Sequence, residues 1–167
     1  GGDNTAVGLN AMASNTTGNV NTALGYEALK ANTTGAQNVA LGRNTLKAAT
    51  VAGNNTAVGS QCFEQVTTGE TNTGLGYAAG YSLTTGNNNT LLGFNAGRAT
   101  SPSGNLTTES NRVVIGDNNV TNSYIKVDWT VTSDERDKTD IQDITTGLDF
   151  VNQLKPKSFW FRKDRNS

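Results

Sequence analysis

The chain contains no histidine and only one cysteine among its 167 residues. The side chains that form most zinc sites, and the Cys–His pair of a thiol nucleophile, are therefore missing from it. Charged residues make up 16% of the chain and the formal net charge is −1, so no strong field attracts nucleic acid or an anionic membrane surface. No apolar run approaches the roughly 20 residues of a membrane-spanning helix. We expect no metal, no cofactor, no nucleic-acid partner and no membrane insertion.

Hydrophobic residues are also scarce, at 34% of the chain. The hydrophobic and the charged fractions are both low for a compact globular domain, although 167 residues would be ample for one. Disordered chains usually combine low hydrophobicity with a high net charge, which this chain lacks. The composition therefore favours a fibrous protein. The chain begins Gly1-Gly2 without methionine, so we expect it to be a segment of a longer protein.

What the chain does contain is an internal repeat with a constant spacing of 17 residues. The pattern is Asn, then Thr or Val, a small residue, a branched aliphatic residue and Gly. A spacing that never changes indicates that each unit stacks on its neighbour in the same way. The six units begin at Asn4, Asn21, Asn38, Asn55, Asn72 and Asn89.

Aligning the units on their asparagine gives columns of similar residues. We expect the aliphatic fourth column to fill a core, and the small third and eighth columns to allow close approach between chains. Cys62 belongs to the eighth column, so we interpret it as a buried small hydrophobic residue rather than a reactive thiol. Leu91 ends the third column, where we expect the packing to change. The fourth column is Val7, Leu24, Leu41, Val58, Leu75 and Leu92, and the third begins Ala6, Ala23, Ala40, Ala57 and Gly74.

The fold class predicted from this pattern is all-β. Glycine at two fixed places per unit would cost about 1 kcal/mol each in a helix, whereas 17 residues leave room for two or three short strands. Each unit is then one coil of a parallel β-solenoid or β-prism that advances about 4.8 Å per coil. Because one coil supplies only two or three apolar side chains, we expect three chains to form a parallel homotrimer.

The composition changes towards the C-terminus, where 15 of the 27 charged residues follow Lys126. We predict a shaft of six repeats over 1–99, and a loop, a seventh coil and a junction strand over 100–132. The loop is expected at Thr100 to Asn111, and Val114 to Gly116 matches a seventh coil delayed by six residues. The strand is expected at 125–131.

A short α+β region is predicted over 133–167. A helix is expected at 147–154 and a further strand at 158–162. The group Asp140, Asp143 and Asp149 matches no calcium-loop spacing, so we interpret it as a solvated acidic face.

The segment Ser133-Asp134-Glu135-Arg136-Asp137-Lys138 precedes Ile141, then Gly147-Leu148, and then Leu154-Lys155-Pro156. It resembles the opening of the C-terminal intramolecular chaperone domain of phage tail fibres and tailspikes, peptidase family S74. Members of that family trimerise, help the fibre to fold, and then cut themselves off before the serine. The resemblance implies that Ser133 is the nucleophile, that Lys138 is its basic partner and that Thr132–Ser133 is the bond cut.

The resemblance also implies a function. The chain would be a structural segment of a viral (phage) tail fibre or spike in the virion, which attaches to a host-cell receptor that is a glycan or a protein. Any enzymatic activity would be at most a single-turnover self-cleavage by a Ser-Lys dyad. Family members continue well beyond this signature, which places self-cleavage by the 167 residues alone in question. The alternative is a head segment of a trimeric adhesin on a bacterial surface, whose repeats are similar but which does not account for Ser133 and Lys138.

Overall fold

The computed structural model of the chain describes residues 1–126. Gly1–Tyr124 forms one compact unit, and Ile125–Ser167 belongs to a second. The regular structure of the described residues is entirely β, and these residues include no helix that would span a membrane. The strands are β1 Thr5–Val7, β2 Thr22–Leu24, β3 Val39–Leu41, β4 Thr56–Val58, β5 Thr73–Leu75, β6 Thr90–Leu92 and β7 Val113–Ile115.

The seven strands form one parallel sheet in sequence order. From β1 to β6 each residue pairs with the residue 17 positions later, as Ala23 does with Ala40. Between β6 and β7 the offset becomes 23, since Thr90 pairs with Val113. The parallel β-solenoid is therefore confirmed, and so is a seventh coil delayed by six residues.

The orientation predicted for the columns was wrong. The middle residue of each strand from β2 onwards is buried inside the coil, whereas Leu24 and Leu75, from the fourth column, are 49% and 53% exposed. Neighbouring residues of a strand point to opposite faces, and here the small residue points inward. The small third and eighth columns thus lie within the chain's own core and do not mediate approach between chains. The larger core side chains come from the ninth position, at Met12, Leu29, Leu46 and Phe63.

Each coil has one strand of three residues, not the two or three strands predicted. The reason is a set of left-handed residues that recurs in every coil and turns the chain. In the second coil these are Glu27, Leu29 and Gln37, with φ of 56°, 50° and 60°. Backbone hydrogen bonds still join the coils outside the strands; the Leu29 amide donates to the Thr45 carbonyl at 3.0 Å. The turns therefore continue the backbone hydrogen bonds between coils, although their residues do not have strand geometry.

The asparagines that open the units form a continuous side-chain ladder, and from the second unit onwards they are buried. The Oδ1 of Asn38 accepts from the backbone N–H of Asn55 at 3.1 Å and from its Nδ2 at 3.2 Å. The Nδ2 of Asn55 also donates to the Gly69 carbonyl at 2.9 Å, within its own coil. Every hydrogen-bonding site of the amide is used, which stabilises the stack at one fixed offset. In the seventh coil Arg112 takes the place of asparagine, and its backbone N–H closes the ladder on Asn89.

The core changes shape around Phe63, the largest fully buried side chain. A Cβ added at Gly74 would lie 2.6 Å from the Phe63 ring, and one at Gly80 would lie 2.3 Å from it. Two glycines in the fifth coil therefore make room for one aromatic ring in the fourth. Leu91 then fills the space next to Gly80 and Gly97. This confirms the expected change in packing near the sixth unit.

The irregular stretch before β7 is shorter than expected. Gly97 and Leu106 take the places that Gly80 and Leu83 have one coil earlier, and Leu106 donates to Gly97 at 2.9 Å as Leu83 does to Gly80 at 3.0 Å. Residues 98–105 therefore stand where the preceding coil has only residues 81–82, which is a net insertion of six. Residues 106–111, expected in the loop, already follow the ladder, because the Thr107 carbonyl accepts the Thr84 hydroxyl at 2.8 Å.

The asparagine ladder gives a stability prediction. Asn55→Asp removes two buried N–H donors and leaves the Gly69 carbonyl without a partner, so we expect it to destabilise the chain by about 3 kcal/mol. Asn54→Asp is the matched control, because this neighbour is exposed and left-handed, a conformation that Asp also accepts. Urea unfolding followed by circular dichroism measures both. Equal unfolding midpoints for the two variants would show that the ladder contributes little.

Candidate functional site

The outer side of the parallel sheet carries the first and third residues of each strand; the first is threonine in five of the seven strands, and the third is always aliphatic. The third residue of every strand lies there, and none of the seven strands contains a charged residue. The surface extends roughly 29 Å across seven strands at about 4.8 Å spacing. We call it the apolar face, and its strand residues are Val7, Leu24, Leu41, Val58, Leu75, Leu92 and Ile115.

Aromatic residues lie beside the apolar face, two positions after the aliphatic residue of a coil. Tyr77 is 47% exposed and Phe94 is 55% exposed. Their rings stack with centroids 5.6 Å apart. Tyr26 has the same position in the second coil and is also exposed. A continuous row of partly exposed aliphatic side chains with aromatic rings beside it makes the apolar face a candidate contact surface.

A second feature is polar and lies in the turns, away from the strands. Glu27 bonds Lys30 in its own coil at 2.6 Å and Lys47 in the next coil at 2.8 Å. The Glu27 side chain is only 7% exposed, while both lysines are partly exposed. The bonds from Lys30 and then Lys47 lower the pKa of Glu27 from its ordinary value of 4.5 to about 2. The carboxylate thus holds two neighbouring coils together electrostatically.

Cys62 is fully buried in the eighth column, as expected. Burial raises the pKa of its thiol to about 12, so it carries no thiolate near neutral pH. Among the described residues, no group of three or more His, Cys, Asp or Glu side chains could hold a metal ion.

The predicted cleavage residues lie outside the described part of the chain. This applies to Ser133, Lys138 and the Thr132–Ser133 bond, and to the predicted acidic face and the elements at 147–154 and 158–162. The strand expected at 125–131 has only its first two residues described. From the sequence, the aliphatic residues of the apolar face were expected to fill a core, whereas they lie outside the coil of the single chain. The Glu27 pairs were not predicted. In the sequence, these pairs are indicated only by the spacing: Lys30 follows Glu27 by three residues and Lys47 follows it by 20.

Comparison with known families finds a match over the last 35 residues of the chain. Residues 133–167 match the model of the peptidase S74 family, described as the chaperone of endosialidase. No curated protein and no solved structure is detectably similar to the chain. The match supports the chaperone segment predicted from Ser133 onwards. A β-solenoid next to such a segment fits a structural protein of the tail-fibre or spike type.

The Glu27 pairs give a prediction of pH dependence. The folded pKa lies below the unfolded value, so the stabilisation is complete above about pH 4.5 and is lost as the pH falls towards 2. Glu27→Gln should therefore be less stable than the wild type at pH 7, and the difference should disappear between pH 4.5 and 2. Urea midpoints of both proteins across this range test it. A difference that stays constant down to pH 2 would contradict the ion pairs.

Proposed function

We propose that the chain is part of the trimeric shaft of a phage tail fibre or spike, assembled by the S74 segment at its C-terminal end and used for attachment to a host cell. The observation that carries the proposal is the apolar face, an exposed, uncharged sheet surface in a chain whose last residues match a chaperone family. A chaperone segment would bring the apolar faces of three copies together before these faces associate with unrelated apolar surfaces.

Three parallel copies account for the apolar face better than a single chain does. Parallel copies in the same register bring identical rungs to the same level, so Leu75 of each copy meets its equivalents. Aliphatic side chains match such a self-complementary arrangement, because like charges would repel at every level. The polar Glu27 cluster contributes no residue to the strands, which leaves the apolar face free for this contact.

Light scattering after size-exclusion chromatography tests the trimer. The chain should elute at three times its mass of 17.5 kDa. Leu75→Asp should reduce the trimer strongly, because it brings three carboxylates together at one level of the contact. Each single chain should keep its β spectrum, since the Leu75 side chain is outside the coil.

Thr68→Asp is the control, because Thr68 is exposed and lies in a turn rather than in a strand. It introduces the same charge and should leave the trimer intact. A wild-type chain that elutes as a monomer would overturn the proposed assembly.

We further propose that Ser133 and Lys138 cut the precursor between Thr132 and Ser133. The Ser133 hydroxyl attacks the Thr132 carbonyl carbon while a neutral Lys138 amine takes its proton. The C–N bond breaks, the proton passes to the released Ser133 nitrogen, and water hydrolyses the resulting ester. A lysine ordinarily titrates near pH ~10.4, so Lys138 needs burial or a neighbouring cation such as Arg136 to be neutral.

Mass spectrometry of a precursor that carries the complete chaperone domain tests this step. The wild type should release a fragment beginning Ser133-Asp134-Glu135-Arg136. Ser133→Ala and Lys138→Ala should each stay uncut and still assemble, because folding and bond cleavage use different groups.

Ser123→Ala and Lys126→Ala are the matched controls and should be cut like the wild type. Cleavage of Ser133→Ala at the same bond would eliminate Ser133 as the nucleophile. The result also separates the two candidate functions, since the adhesin alternative gives no reason for a cut at this position.

A further inference from the structure

A groove of about 330 Å³ lies at the C-terminal end of the apolar face. Leu92 and Ile115, which end β6 and β7, line it together with Phe94 and Val120. All four side chains are apolar, and those of Phe94, Ile115 and Val120 are more than half exposed. The groove is therefore a continuation of the apolar face rather than a separate pocket.

The groove opens where the packing of glycines between coils loosens. A Cβ added to Gly76 would lie 2.6 Å from the Gly93 carbonyl oxygen, whereas one added to Gly93 would lie 3.2 Å from the nearest atom of Gly116. The backbone also changes here, since φ is 133° at Gly76 and 76° at Gly116. Val120 folds back over this last glycine, because a Cβ on Gly116 would lie 2.5 Å from it. Val120 thus forms the far wall of the groove.

The row of side chains beside the apolar face changes character at the groove. Phe94 stacks on Tyr77 of the preceding coil, with ring centroids 5.6 Å apart. The same position in the seventh coil is Asp117, which is only 5% exposed. Its carboxylate accepts from the backbone N–H and the side-chain amide of Asn119 at 3.0 and 2.9 Å. The seventh coil therefore places no ring on the other side of Phe94.

The other edge of the apolar face projects at the same coil. The first residue of β7 is Val113, which is 70% exposed and stands in a column that is mostly threonine. Arg112 beside it is exposed and forms no ion pair within residues 1–126. The groove edge has Asp117 in its lining. A projecting valine next to a cation and an apolar groove next to a carboxylate are complementary in polarity and in charge.

We propose that Val113 of one copy of the chain inserts into this groove of a second copy. In a closed three-fold assembly each contact joins two different parts of the surface, so the Val113 edge of one copy meets the groove edge of the next. Three such contacts form at the level of β7. In each of them Val113 covers Phe94 and Ile115 of its neighbour, and Arg112 approaches Asp117.

This contact sets the register of the three chains. A slip of 17 residues would move Val113 one coil away from the groove, to the level where Gly76 and Gly93 pack closely and leave less room. The inference rests on the trimer proposed above and deepens it, because it names the contact that holds the copies level.

Disulfide trapping in the 167-residue chain tests the contact. In the double variant Val113→Cys/Val120→Cys, the two new thiols of neighbouring copies meet at every contact, so oxidation should give a covalent trimer on a non-reducing gel. Val113→Cys/Tyr77→Cys is the matched control, because Tyr77 is similarly exposed but lies two coils earlier. It should remain uncrosslinked. The native Cys62 is fully buried and does not take part.

Val120→Asp provides a second test, because it puts a carboxylate into the groove next to Asp117 and should weaken the trimer at least tenfold on dilution. Thr121→Asp adds the same charge at an exposed neighbour that does not line the groove, and should leave the trimer unchanged. A wild-type trimer whose Val113→Cys/Val120→Cys variant gives no crosslink, or a disulfide only within one chain, would overturn this inference and leave the proposed assembly intact. Equal crosslinking of the two cysteine pairs would do the same. A monomeric wild type would overturn both.

Discussion

The structure depends on one offset, because residue i must meet residue i+17 at every point of the coil. The asparagine ladder enforces this offset most strictly. Each amide bonds both the coil before it and its own coil, so a shift by one residue would leave buried donors and acceptors without partners at every level. The strands alone could not fix the register, since three residues supply few ladder bonds. The side-chain amides therefore fix the register between coils, which in an ordinary sheet is fixed by the backbone hydrogen bonds of longer strands.

The same offset limits where the sequence can vary. Phe63 is accepted only because Gly74 and Gly80 vacate the space around its ring, and Leu91 then refills the core one coil later. The insertion in the sixth coil, where residues 98–105 replace two residues of the preceding coil, lies in a turn and leaves the ladder before it and the ladder after it intact. A larger core side chain in one coil is thus compensated by smaller residues in the next coil. This is expected where each repeat contacts only its neighbours.

The repeat predicted the parallel order, the pairing of coils and the late seventh coil, because these follow from spacing alone. It did not predict which side of the strand faces inward. Ala40 and Leu41 alternate, and either could point to the core. The choice is made by the narrow turns, where Leu29 and Leu46 adopt left-handed conformations that a sequence pattern does not reveal for branched side chains. The Glu27 pairs were missed for the same reason, since their geometry arises only when the turns stack.

A shaft of nearly identical repeats does not by itself fix how the chains of an assembly are aligned along their length. In the proposed trimer, three chains whose apolar faces carry nearly the same residues at every coil would match almost as well after a slip of 17 residues as they do in register. Only features that do not repeat distinguish the alignments, such as Phe63, the insertion at 98–105 and Arg112 at the end of the ladder. The insertion and Arg112 lie in the sixth and seventh coils, which precede in sequence the segment that matches a chaperone, whereas Phe63 lies in the fourth coil. A trimerising segment at that end would set the three chains level before the repeats associate, and its later removal would make the persistence of the shaft a matter of unfolding rate.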